Sequence, residues 1–441
     1  MVESRLARLV GCVAAVASLA GAAPAQAPRT MPADADADRP LFLRTVEVEG
    51  RSIALQIASR SYTRPAPAAE APEGEGETPA SGGPTVWLVG VAHIADRSFY
   101  RSIQSLVDTC EVVLYESIKP WGTGGAGGDT LKERRESTRA AMGFVTSLIE
   151  LYRAQELRYP ADIDELGQFA ADLDPRLKAC FDVAALDAWE RPLIYRRRPD
   201  TPGYEVVSLG ADGRPGGDGN DGDLVLSDEQ ATGPLEWAGQ DSLQRELASA
   251  LELGFQLDAL SYGRANWRCS DLALDQVDRA LRDGGVDFAP LAGALAGTSL
   301  PARFLKFALR LLRVADAVLE GRLSDTLKVV MIDILGDEAI MEQSLDQLGP
   351  AFREVIVDRR NQVAIDDLAA IIEKEPEVES VAIIYGAAHL PDLAEQLAGQ
   401  LGYQPDGERW LTAIEVDLAN SAASIDELNR MRRMMRLLMK R

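Results

Sequence analysis

"VWLVGVAHIADRSF" occupies positions 86–99 and "AIIYGAAHLPDL" positions 382–393. Each is an apolar, largely β-branched run that ends in Gly-x-x-His and passes into residues with helical spacing. The chain holds only two histidines in 441 residues, and they are these two, His93 and His389. At the glycine content of this sequence, one histidine would have glycine three places before it in about 8% of cases, and both would in under about 1%. The pairing therefore favours a shared site over two unrelated hydrogen-bonded histidines at strand ends.

Short apolar runs of this kind read as buried strands. A histidine just beyond the C-terminal end of a parallel strand stands where open α/β sheets build their ligand crevices. Next to the first run, "CEVVLYES" (110–117) reads as another strand, and a helix-like stretch over 99–108 lies between the two. That order implies a βαβ unit and a parallel sheet, with Glu116 at the same strand end as His93. Gly90 and Gly386 are expected to let the backbone turn tightly and a ligand come close. Two imidazoles and a carboxylate form a facial donor set for a divalent ion with positions open to water and substrate.

Upstream, "LFLRTVEVEGRSIALQIASRSY" (41–62) gives two strand-like runs broken at Glu49, Gly50 and Arg51, which suggests a hairpin. Residues 28–40 and 64–84 are rich in Ala, Pro, Gly and acidic residues; they lack the apolar content to fold and read as a linker and a flexible loop. A glycine-rich connector, "GTGGAGGD" (122–129), opens a stretch of different character. There "AAMGFVTSLIELYRAQ" has helical periodicity, "RPLIYRRR" and "YEVVSLG" read as strands, and "ADGRPGGDGNDGD" (211–223) is a loop. Helical patterns follow over 243–262, 272–283 and 302–348, and "REVIVD", "SVAIIYGAA" and "WLTAIEVDL" close the chain as strands. The fold class is α/β, a mainly parallel or mixed sheet with a helical middle, interrupted by a small α+β domain.

A net charge of −23 excludes a nucleic-acid partner, since a phosphate backbone needs a basic face. The first 27 residues have Arg5 and Arg8, an apolar stretch over 9–22, and small residues suited to cleavage after Ala25 or Ala27. This pattern is a signal peptide, with an uncleaved anchor as the alternative. Export to the periplasm or cell surface follows. Beyond the leader, Cys110, Cys180 and Cys269 are too few and too scattered for a disulfide framework or a zinc ribbon. The basic tail "LNRMRRMMRLLMKR" (428–441) is either a membrane-surface helix or a helix packed on the body, the latter being favoured. Asn266, Trp267 and Asp271 read as packing or helix-capping residues.

The strand–GVAH–helix–VVLYES opening, "SYGRANWRCSDLALDQVDRAL" (261–281), "VDRRNQVAIDDLA" (357–369) and "VAIIYGAAHLPDLAEQLAGQLGY" (381–403) resemble the TraB/PrgY/GumN family, which includes the Tiki metalloproteases. The resemblance covers about 41–137 and 235–417. It implies a fold related to the erythromycin esterase and ChaN-like proteins and activity dependent on manganese or cobalt. By motif, His93 and His389 are the paired histidines, Glu116 the acidic residue, and Arg360 or its neighbour Arg359 the basic residue; Asp358 falls one place too early for the acidic residue that precedes that arginine. The implied chemistry is a metal-activated water, with Glu116 ligating or taking its proton and Arg360 steadying the developing oxyanion.

Residues 177–228, with "IELYRAQELRYPADIDELGQF" upstream, resemble the C-terminal domain of the major pseudopilin of type II secretion, without that family's membrane-spanning N-terminal helix. This resemblance implies calcium in the Gly/Asp loop, held by Asp212, Asp218 and Asp221, with Asp223 and the Leu209 carbonyl as further ligands. Acidic turn residues with no ion are the alternative.

Together these readings divide the chain into a signal peptide (1–27), a first TraB/GumN-like part (28–138), a pseudopilin-like insertion (139–232) and a second TraB/GumN-like part (233–441). The expected function is an exported metal-dependent hydrolase, a peptidase acting on a peptide or protein. The inserted module would serve placement or recognition of a secretion-system or cell-surface partner, and membrane contact is expected only through an uncleaved leader or the basic tail. The alternative is a non-catalytic metal- or haem-binding assembly protein of the cell surface.

Overall fold

The computed structural model describes residues 41–48, 51–65, 82–125, 127–128, 130–198, 202–235, 243–287, 322–337, 349–421, 429–430 and 432–433. The signal peptide, the linker over 28–40, most of 64–84, and most of 302–348 and 428–441 lie outside these residues. The described residues fall into two compact units, one drawn from 1–116, 238–261 and 284–441, the other from 117–237 and 262–283. The content is mixed α/β, with a mixed sheet.

The first unit begins with strands β1 (Leu43–Val48) and β2 (Ser52–Thr63). They pair antiparallel with Val48 opposite Ser52, the hairpin expected from the sequence. β3 (Thr85–Val91) leads through the short β4 (Ile94–Ala95) into helix α1 (Arg97–Val107) and then β5 (Val112–Tyr115).

The second unit opens with α2 (Leu131–Glu156), a 26-residue helix that runs unbroken through position 139. Its first turn closes with a capping box: Thr130 Oγ1 accepts from Glu133 N–H while the Glu133 carboxylate accepts from Thr130 N–H. α3 (Ile163–Leu173) and α4 (Pro175–Ala184) are capped by Asp162 and Asp174. An antiparallel sheet of β6 (Ile194–Arg197), β7 (Tyr204–Ser208) and β8 (Leu224–Ser227) follows. Phe144, Leu148 and Tyr152 of α2 pack with Leu166, Phe181, Tyr204 and Val206 into one core. The buried Asp187 pins the turn ahead of β6, accepting from the backbone N–H groups of Trp189 and Arg191 and from Ser208 Oγ.

Returning to the first unit, α5 (Leu243–Ala250), β9 (Gly254–Phe255) and α6 (Gln256–Ala259) replace the single helix expected over 243–262. Glu252 takes a left-handed conformation (φ 56°) that ends α5, and the next residues pair instead with β4, Ile94 opposite Phe255. β10 (Trp267–Cys269) and α7 (Leu274–Asp283) belong to the second unit, and α8 (Arg322–Leu335) to the first. The run "REVIVD", expected as a strand, is helical: α9 (Pro350–Arg353) enters a π-helix (Glu354–Arg359) that continues into α10 (Arg360–Lys374). Pro350 starts this helix, and Val355 and Val357 are buried within it despite their strand preference. β11 (Ser380–Gly386), α11 (Leu390–Leu401) and β12 (Gln404–Asp417) complete the unit.

Within this unit β11 lies between β3 and β5 and is parallel to both, with Gly386 level with Val91 and Ile384 level with Tyr115. β2 joins β3 antiparallel, and β12 pairs along β2. Val86, Leu88, Val112, Leu114, Val381 and Ile383 meet Ile365 and Leu368 of α10 and Leu393 and Leu397 of α11 in one core. Each such side chain contributes about 1.5–3 kcal/mol when fully buried. Of the basic tail, Arg432 is described, and its guanidinium grips both oxygens of Asp333. That contact favours the packed reading. Among the described residues no helix is long and apolar enough to cross a membrane.

Candidate functional site

β3, β11 and β5 run in the same direction side by side, so residues just past their last positions share one edge of the sheet. His93 follows β3, His389 follows β11, and Glu116 follows β5, anchored by its N–H on the Ile384 carbonyl at 2.9 Å. The two Gly-x-x-His segments thus reach one place because their strands are direct neighbours. Their glycines act through space rather than by turning: neither is in the left-handed region. A Cβ on Gly90 would lie 2.5 Å from Ile57 Cγ2 and 2.9 Å from the Ala58 carbonyl oxygen, and one on Gly386 would lie 3.2 Å from Glu116 Oε2. Close packing against β2 therefore requires glycine at 90, while at 386 a side chain would press on the glutamate.

Glu116 is buried, and so is the arginine that meets it. Arg360 donates from Nη2 to Glu116 Oε1 at 2.6 Å, while Gly386 N–H donates to Oε2 at 2.5 Å. His389 Nε2 is 3.6 Å from Oε1. Burial opposes ionisation of this carboxyl, but the charges of Arg360, His389 and His93 and the Gly386 N–H outweigh it, and the group is held well below the usual carboxylate range. Arg359, the alternative basic residue, points elsewhere and pairs with Glu354 at 2.8 Å on the surface. The π-helix sets this phase: one such turn takes an extra residue, as often happens near functional sites, and the side chain delivered to Glu116 is that of Arg360. Asp358 lies in the same π-helix, exposed, with its carboxyl pushed up by partial desolvation and by Asp392.

Three further residues complete the cluster. Asn361 is fully buried; its Oδ1 is 2.8 Å from His389 Nδ1, and its Nδ2 donates to Asp392 Oδ2 at 2.7 Å and to the His389 carbonyl at 3.3 Å. Gln256, also buried, places Oε1 2.9 Å from His93 Nδ1, and its backbone N–H donates to the His93 carbonyl. Asn361 adjoins a residue already singled out, and Asp392 lies three places beyond His389. Gln256 carried no signal in the sequence. His93 itself is exposed, whereas His389 is buried.

Among the described residues, no group of three or more His, Cys, Asp or Glu side chains stands in an arrangement that could hold a metal ion. At the strand ends the donor chemistry suits a divalent transition ion, but Glu116 spends both oxygens on Arg360 and Gly386. In the Gly/Asp loop Asp212, Asp218 and Asp221 are all exposed. Asp212 Oδ1 accepts from Arg214 N–H, Asp223 Oδ2 accepts from Gly216 N–H, and Asp223 Oδ1 is buried with no partner. Gly210, Gly213, Gly216, Gly217 and Gly219 all take positive φ there, a curled backbone that only glycine adopts freely. Arg191 ties the loop down through the carbonyls of Gly210 and Ala211. In the second unit, Asp271 Oδ1 accepts from Leu272 N–H.

The family model described as type II secretion system (T2SS), protein G, matches residues 128–227. This segment is similar to that family from the capped start of α2 to the end of β8. No curated protein and no solved structure matches the chain.

Proposed function

We propose that the chain is an exported, metal-dependent hydrolase, most simply a peptidase, centred on the strand ends that carry His93, Glu116 and His389. The observation that carries this reading is the convergence of both histidines of the chain on one buried, ionised carboxylate. A divalent ion such as manganese or cobalt would be held by His93 and His389 with Glu116, and when bound would supply a polarised carbonyl and a water of lowered pKa. Glu116, held so far below the usual range, is a weak proton acceptor near neutrality, so its role is to ligate and orient. Arg360 keeps that carboxylate ionised and fixed in place. His93, the exposed member, would present the ion to solvent and substrate.

The protein G-like module is proposed as the placement or partner-recognition element, acting on a secretion-system or cell-surface partner, with calcium in the loop that carries Asp212, Asp218, Asp221 and Asp223. The unpartnered oxygen of Asp223 supports an ion there. Similarity to a secretion protein agrees with export and an envelope location.

A second reading is a non-catalytic metal- or haem-binding protein, favoured by the commitment of both Glu116 oxygens to protein partners. Metal analysis of the purified chain beside His93→Ala and His389→Ala, followed by peptide-library cleavage with added manganese or cobalt, separates the two. Metal-dependent cleavage lost in both variants supports the hydrolase. Metal bound without turnover supports the second reading, and neither metal nor turnover removes both.

A further inference from the structure

The two histidines are held in the same way by residues from different parts of the chain. Each Nδ1 meets the side-chain oxygen of one buried carboxamide, Gln256 for His93 and Asn361 for His389. For Asn361 the orientation is fixed by its surroundings. Its amide nitrogen, which can only donate, faces the Asp392 carboxylate and the His389 carbonyl, so the amide oxygen, which can only accept, must face the ring. Nδ1 of His389 therefore carries the hydrogen. Asp392 is held in turn by Gln396 Nε2 at 2.7 Å. On the other side, the pairing of Ile94 with Phe255 and Ala95 with Gly254 brings Gln256 against His93, and the Gln256 main chain binds the His93 carbonyl.

We propose that Gln256 and Asn361 are the positioning residues of this centre: each takes the Nδ1–H of one histidine, so that Nε2 is the unprotonated nitrogen in both rings. A free imidazole in water favours the opposite tautomer, so this state is imposed by the protein. Neutral amide oxygens fix the ring without the added basicity that a carboxylate partner brings. The consequence appears at His389, whose Nε2 lone pair stands 3.6 Å from Glu116 Oε1. Two electron-pair donors facing each other select an electron-pair acceptor between them, a cation or a proton-bearing group. The inference rests on the site proposed above, yet its readout needs no turnover.

The test uses the full chain, metal-free and labelled with nitrogen-15 at histidine, at a pH above both imidazole titrations. Two histidines give two ring spin systems, and His93→Gln assigns them. Both rings are expected in the Nδ1–H form. Gln256→Met should move the His93 nitrogens to the Nε2–H-dominated pattern and leave His389 unchanged, whereas Gln256→Glu and Asn361→Asp, which keep an acceptor oxygen, should restore or retain the original pattern. A wild-type ring protonated on Nε2 overturns the proposal whether or not any variant folds, and so does an unchanged His93 tautomer in folded Gln256→Met. Correct tautomers without peptide cleavage would leave this inference standing and remove only the hydrolase reading.

Discussion

Replacing Arg360 by leucine tests whether the Glu116 pair is as buried and as tightly coupled as its geometry implies. The side chains are 6% and 8% exposed and 2.6 Å apart. At that separation an effective dielectric near 20 gives a gross attraction of about 6 kcal/mol. Removing one partner of such a pair typically costs about 3–5 kcal/mol, because the surviving charge stays buried and uncompensated. Gly386 N–H still donates to Glu116, so Arg360→Leu should fall near the lower end, about 3 kcal/mol. In urea denaturation followed by circular dichroism, a slope of about 2–3 kcal/mol per molar turns this into a midpoint lowered by about 1 to 1.5 M. Adding Glu116→Leu should recover most of the loss, since an apolar replacement of both partners is often close to neutral. Arg359→Leu, which breaks only the surface pair with Glu354, should cost under about 0.5 kcal/mol. A coupling energy below about 0.5 kcal/mol in the Arg360/Glu116 cycle, or an Arg359 variant as costly as the Arg360 one, would refute the reasoning.

Gly90→Ala would press a methyl group against Ile57 and the Ala58 carbonyl, and should lower stability by about 1–3 kcal/mol in thermal unfolding; an unchanged melting temperature would show that β2 and β3 are not so closely packed. Burial pushes the Cys180 thiol up to about 11, so native Cys180 should resist iodoacetamide at pH 8 and react readily in urea. The same raised pKa gives a stability contribution present below the ordinary thiol range and lost as pH rises toward 11, because the unfolded thiol ionises first; the stability gap between wild type and Cys180→Ala should narrow over that window. Thr130→Ala removes one half of the α2 capping box and should cost about 1 kcal/mol, read as a lower urea midpoint; no change would mean that the first turn of α2 does not contribute to the cooperative unit.

Parallel strands buried on both faces write themselves as unbroken apolar runs, which is why β3, β5 and β11 and the residues at their ends could be read from the sequence. Even so, the order of the strands was not legible: nothing local says that β11 enters between β3 and β5. Arg360 and Arg359 are adjacent and chemically alike, and only the phase of the π-helix separates them. "REVIVD" carries strong strand propensity, yet the helix around it, opened by Pro350, prevails. Gln256 reaches His93 through a two-residue pairing of β4 with β9, too short to leave a pattern. The glycines of the loop over 210–219 were legible as a turn, while the buried, unpartnered oxygen belongs to Asp223 and not to the three exposed aspartates.

The position of β11 has a consequence for the order in which the chain can fold. Contacts such as Glu111 N–H to Ser380 span 269 positions, so a nascent chain that has emitted β3 and β5 still lacks the strand that bridges them. Loop closure over that distance is slow, and the waiting strands present open edges that invite aggregation. The centre can therefore assemble only once β11 and His389 have been made, and a fragment truncated before residue 380 would lack not merely one histidine but the middle of the sheet that holds the other two groups in line.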